Sequence, residues 1–97
     1  MTKFEGFDEV YLERLELYVP VVARVHGESH PEFHNVVKEY DKMIEKINQA
    51  GSQRPELDGE FQELRRITDN YRVPEDTCET YEAVYNMLSE MDQAYTE

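Results

Sequence analysis

SHPEFHNVVKEYDKMIEKI, residues 29–47, is the stretch that decides the fold. Within it Phe33, Val36, Val37, Tyr40, Met43, Ile44 and Ile47 recur every three or four positions, which places them on one face of an α-helix and fits no strand. Ser29 and Glu32 have the spacing of a capping box, and Pro31 falls in the first turn, where its missing N–H costs little.

On the N-terminal side, Tyr11, Leu15, Tyr18, Val22 and Val25 mark a helix from about Asp8 to His26, closed by Gly27. Pro20 lies inside it, removing a backbone donor and crowding the carbonyl four residues earlier. A bend or two shorter helices is therefore predicted. On the C-terminal side, Gly51, Ser52 and Pro55 form a loop before a weaker third helix with the buried line Leu57, Phe61, Leu64, Ile67 and Tyr71, its first turn weakened by Gly59. A fourth helix is predicted to begin at Pro74-Glu75-Asp76, whose acids complement the helix dipole, and to bury Cys78, Tyr81, Val84, Tyr85, Leu88, Met91 and Tyr95. Short links between four amphipathic helices predict an all-α fold, an antiparallel up-down four-helix bundle forming one domain over residues 1–97.

Charge narrows the partners. With 22 acidic against 10 Lys and Arg residues the net charge is −12, so nucleic acid and acidic membrane surfaces are repelled. The apolar run Val19 to Ala23 is far short of a bilayer span, and the single cysteine excludes an internal disulfide. No signal-peptide pattern is seen at the N-terminus, and a cytoplasmic protein is expected.

The three histidines, His26, His30 and His34, are each four apart. On an unbroken helix they would form a face able to share iron or zinc. Gly27 and Pro31 break that helix, so only His30 and His34 are expected on a common turn. The simpler reading is a solvent-exposed corner that caps two helix ends; a metal-binding or pH-sensitive corner is the alternative. Glu13, Glu16, Glu39, Asp41, Glu45, Glu60 and Glu63 are expected on outward faces, and no acid is predicted buried. Cys78 stands near a helix N-terminus, where a thiolate is favoured, but also on the apolar stripe, where a buried thiol is the commoner outcome. The tyrosines are expected to pack at core positions, and phosphate loops, nucleophile elbows and Cys-x-x-Cys motifs are absent.

Two strings, Val22-Ala23-Arg24-Val25-His26-Gly27-Glu28-Ser29-His30-Pro31-Glu32-Phe33 and Thr68-Asp69-Asn70-Tyr71 with Pro74-Glu75-Asp76-Thr77-Cys78-Glu79-Thr80-Tyr81, resemble the hemerythrin-like domain of the iron–sulfur cluster repair di-iron proteins. With the helices between them they bring most of the chain into register with that family's bundle. The resemblance implies a link to nitrosative and oxidative stress and a pair of irons held by histidines and bridging glutamates. Those ligand motifs are largely absent. No histidine stands around Phe4-Glu5, after Ile47 or in Pro55-Glu56-Leu57, and the fourth helix is expected to stop at Tyr95-Thr96-Glu97, about where the last ligand motif of that family would begin. In an up-down bundle all four places lie at one end, whereas His26 and His30 belong about 30 Å away at the other.

Two functions are consistent with this pattern. One is a shortened relative without the di-iron site and without a cofactor, a non-catalytic interaction or regulatory bundle that binds a protein partner. The other is a metal-binding protein of iron or nitric-oxide stress using His26, His30 and His34, or an intersubunit site. A shortened bundle would also expose its cut end, with Phe4, Phe7, Leu57 and Tyr95 able to cover one another in a homodimer.

Overall fold

The computed structural model describes residues 9–51 and 53–96. These form α1 (Glu9–His26), α2 (Glu32–Ala50), α3 (Asp58–Thr68) and α4 (Glu79–Thr96), with no strand among the described residues. Four helices around one core is the class the periodicity predicts. Ser52, Phe4, Phe7 and Glu97 lie outside the described residues, as does Asp8 at the expected start of the first helix.

α1 is a single helix that runs through Pro20 and not two shorter ones. Its buried arc is Leu15, Val19 and Val22, each at most 2 % exposed. Val25, expected in that line, is 62 % exposed. At 100° per residue it sits about 60° past Val22, beyond the edge of the arc, and Val19 takes the inward position.

α2 buries Phe33, Val36, Tyr40, Met43 and Ile47, with Val37 and Ile44 half-covered at its flank. Its expected capping box does not form. The N-cap is Pro31 without a side-chain bond, and Glu32 turns instead to His30. Gly51 closes α2 at φ 63°, a left-handed conformation that a Cβ would oppose.

α3 stops at Thr68, short of Tyr71. Thr68 Oγ1 donates to the Leu64 carbonyl at 2.6 Å and accepts the Tyr71 N–H at 2.7 Å, while Asp69, Asn70 and Tyr71 all take positive φ, from 53° to 64°. Three successive non-glycine residues in this region carry strain of roughly 1 kcal/mol each. Hydrogen bonds at both ends of the turn hold it: Asn70 N–H to the Arg65 carbonyl and Arg72 N–H to the Thr68 carbonyl.

Gly59, in the first turn of α3, has nothing within 4 Å of the position a Cβ would take. Gly59→Ala should therefore add about 0.5–1 kcal/mol through the entropy of the unfolded chain, read as a rise of a few degrees in the melting temperature.

Three carboxylates expected on outward faces or left unassigned are buried: Glu39 (7 % exposed), Glu60 (7 %) and Asp92 (5 %). Each has a cation. Glu39 pairs with Lys42 at 3.3 Å, Glu60 with Lys46 at 2.8 Å, and Asp92 receives the Arg65 guanidinium through two bonds. Spacing alone does not reveal such pairs, because Lys46–Glu60 and Arg65–Asp92 join different helices.

Leu57 and Tyr95, expected at an open end, are covered by the chain itself. The Tyr95 hydroxyl donates to the Pro55 carbonyl and accepts the Leu57 N–H, both at 2.9 Å, and Arg54 lies 3.9 Å over the ring. Tyr95 thereby seals the segment 54–57 against α4, and neither residue is available to a second copy. Among the described residues no helix is long and apolar enough to cross a membrane.

Candidate functional site

The residues singled out by the first resembling string meet those of the second at one corner, where the α1–α2 turn faces the loop before α4. His30 N–H donates to the His26 carbonyl at 2.8 Å, so the turn after α1 continues for one more bond and carries both rings to the same side. Both rings then meet Tyr81 edge-on, at 5.4 Å for His26 and 5.6 Å for His30. His26 and His30 are the pair brought together. The expected pairing of His30 with His34 gives way because His34, exposed, turns its ring toward Gly27 while His30 turns to Glu32 and Asp76.

Gly27 explains that turn. A Cβ there would lie 2.3 Å from the Ala23 carbonyl oxygen and 2.6 Å from His34 Nε2, so only glycine lets the turn close against α2. The His34 ring covers the glycine.

The α4 helix begins at Glu79, five residues later than expected. Pro74 to Thr77 form a turn instead, with Thr77 Oγ1 donating to the Pro74 carbonyl at 2.8 Å. Cys78 consequently precedes the helix and is exposed, not buried; its carbonyl accepts the Glu82 N–H at the helix start. Its thiol lies 3.2 Å from His26 Nε2. The 52-residue separation of the two gives no signal in the sequence.

Beside them His30 bridges two acids, with Nδ1 at 3.1 Å from Glu32 and Nε2 at 2.9 Å from Asp76. Burial opposes charge on this ring, but the hydrogen bonds to Glu32 and Asp76 and their negative charges outweigh it and raise its pKa above the usual 6.5. Protonation is therefore favoured in the folded state. The resulting stabilisation is fully present below pH 6.5 and is lost as pH rises through the raised folded value. Asp76 is 71 % exposed, which limits the effect by solvent screening. Melting temperatures between pH 5.5 and 8.5 should show a small downward step with rising pH that His30→Gln removes.

Beneath the corner Tyr81 is fully buried. Its hydroxyl meets that of Tyr85 at 3.1 Å, its ring packs on Phe33 at 5.2 Å, and burial, the largest effect, raises the pKa of both phenols. Tyrosines here are framework, as their core spacing predicts.

Iron ligation, which the resemblance implies, would fall where α2 ends, α3 begins and α4 ends. The two buried carboxylates there are already engaged: Glu60 with Lys46, and Asp92 with Arg65 and with the Tyr71 hydroxyl at 2.7 Å. One oxygen of Glu60, Oε1, is buried without a hydrogen-bond partner among the described residues. The sequence has no histidine beyond His34, and one oxygen is no ligand set. The donors present do not fit a pair of irons. Among the described residues no group of three or more His, Cys, Asp and Glu side chains stands ready to hold a metal ion. Compared with protein-family models, with curated proteins and with solved structures, the chain finds no match.

Proposed function

We propose that the chain is a shortened relative of the iron–sulfur cluster repair di-iron proteins, an antiparallel up-down bundle that has lost the di-iron site and acts by binding a protein partner. The observation that carries this reading is the engagement of Glu60 and Asp92 by Lys46 and Arg65, cations in the places where a metal site needs free carboxylates. The antiparallel arrangement is supported by contacts at both ends of α1: the Tyr11 hydroxyl donates to Glu90 late in α4, and His26 meets Cys78 just before α4. Metal analysis and visible absorption of protein expressed with iron test the proposal. Substoichiometric iron and a featureless visible spectrum are expected; a pair of irons in each chain would overturn it.

A second reading, zinc or iron binding at the histidine corner, is favoured by the 3.2 Å approach of His26 to Cys78, two residue types that share zinc readily. An ion that binds only the folded chain must raise its melting temperature. Unchanged melting in Zn(II) and in Fe(II) would dispose of this alternative.

A further inference from the structure

Between α1 and α2 runs a groove of about 560 Å³. Its floor is apolar: Leu12 and Val19 from α1, and Val37, Ile44 and Ile47 from α2. Within each helix successive floor residues are three or seven apart, so the floor follows the groove along successive turns. Leu12, Val37 and Ile44 are only partly covered by the chain's own core.

The rim carries one sign of charge. Among the described residues Glu13, Glu16 and Asp41 are the charged ones that line it, and all three are exposed. Among the described residues none of the three is in an ion pair, whereas the lysines of α2 at 42 and 46 are directed to Glu39 and Glu60. Tyr40, at the same groove, reports the field: burial first, then the charges of Glu16 and Asp41, push its phenol up to about 12. Pro20, also on the rim, has no N–H, so the helix supplies no fourth-residue donor for the Glu16 carbonyl at the groove edge. An apolar floor between acidic rims is complementary to a helix with an apolar stripe flanked by Lys or Arg.

We propose that the α1–α2 groove docks a cationic amphipathic helix of a partner protein, its apolar side chains on the floor and its Lys or Arg side chains on Glu13, Glu16 and Asp41. This rests on the partner-binding reading and gives that reading a place and a ligand chemistry. The lining runs from Leu12 to Pro20 on α1 and from Val37 to Asn48 on α2, roughly 12 and 17 Å, enough for two to three turns of a partner helix. The net charge of −12 adds long-range attraction for such a partner, screened by salt.

The probe is a fluorescein-labelled 18-residue peptide of Lys and Leu at amphipathic helical spacing, titrated with the full chain and followed by anisotropy in 0.1 M NaCl. Its Glu and Leu counterpart serves as the charge-reversed control. The Lys peptide should bind and the Glu peptide should not. Glu16→Lys with Asp41→Lys should weaken binding at least about 30-fold, and Ile44→Ala about 5-fold. Glu75→Lys with Glu82→Lys, which changes the net charge equally but away from the groove, should change it less than about 3-fold. Circular dichroism melts establish that each variant is folded.

Equal losses in the two charge-reversal pairs would overturn the groove and assign binding to net charge alone, leaving the partner-binding reading intact. Failure of the Lys peptide to bind the full chain would also overturn it, as would happen if residues 1–8 or a second copy filled the groove. Sedimentation equilibrium separates those two occupants. A pair of irons in the metal analysis would instead remove the reading beneath the proposal, whatever the peptide does.

Discussion

Tyr81→Ala is expected to lower the unfolding free energy by about 3–5 kcal/mol, the range for removing a fully buried aromatic ring. Four rings meet this one: His26, His30, Phe33 and Tyr85, all with centroids between 4.9 and 5.6 Å away. Truncation would leave a void at the junction of α1, α2 and α4, and the two imidazoles would lose the surface that orients them. Tyr81→Phe keeps the ring and removes only the bond to the Tyr85 hydroxyl, so its cost should be about 1 kcal/mol. Denaturant titrations of the two variants check this ordering. Similar losses would mean that the hydroxyl pair, and not ring packing, holds the corner. For a domain whose total stability is on the order of 5–15 kcal/mol, the alanine variant approaches the unfolding threshold.

Asp92→Ala is expected to cost about 3 kcal/mol. The carboxylate is 5 % exposed and accepts three bonds, two from Arg65 at 2.8 and 2.6 Å and one from Tyr71 at 2.7 Å. Removing one partner of a buried pair strands the other, which is the larger part of the penalty. Arg65 is 37 % exposed and can regain water, which keeps the loss toward the low end. Tyr71→Phe removes a single bond to a charged group and should cost about 1.5 kcal/mol. Thermal melts suffice as a readout, because about 3 kcal/mol corresponds to roughly 15 °C in a domain of this size. An Asp92→Ala melting point within about 3 °C of the parent would show that the guanidinium is not held by this carboxylate in solution. The same variant bears on the left-handed turn, since the Tyr71 hydroxyl anchors its last residue to α4.

The histidine corner and the Asp92 cluster sit at the edges of the core, and each is built from side chains contributed by more than one helix. Cys78 and Asp76 reach the corner from the loop before α4, and Arg65 reaches Asp92 from α3. Hence the sequence named most of the participants without naming their partners. His26 and His30 stand out by spacing, but their coupling to Cys78 and Asp76 depends on where α4 starts, and the Pro74-Glu75-Asp76 cue placed that start five residues early. Proline and acids mark a helix N-terminus and a turn alike; here the Thr77 hydroxyl bond to Pro74 selects the turn. Ser29 and Glu32 misled in the same way. Glu32 has a choice between a backbone N–H and the His30 imidazole, and the nearby ring takes it.

What the amino-acid order determined by itself is the set of four helices and most of their inward faces, because a three-to-four residue repeat of apolar side chains is a local property that any core must satisfy. Even there, Val25 and Cys78 escaped the rule, the first because it lies past the edge of the buried arc and the second because α4 begins one residue after it. The tertiary structure alone decided which acids are buried, which imidazole meets the thiol, and which groove is rimmed by Glu13, Glu16 and Asp41. Those outcomes depend on contacts between residues far apart in the chain, whose energies exist only after the helices have packed.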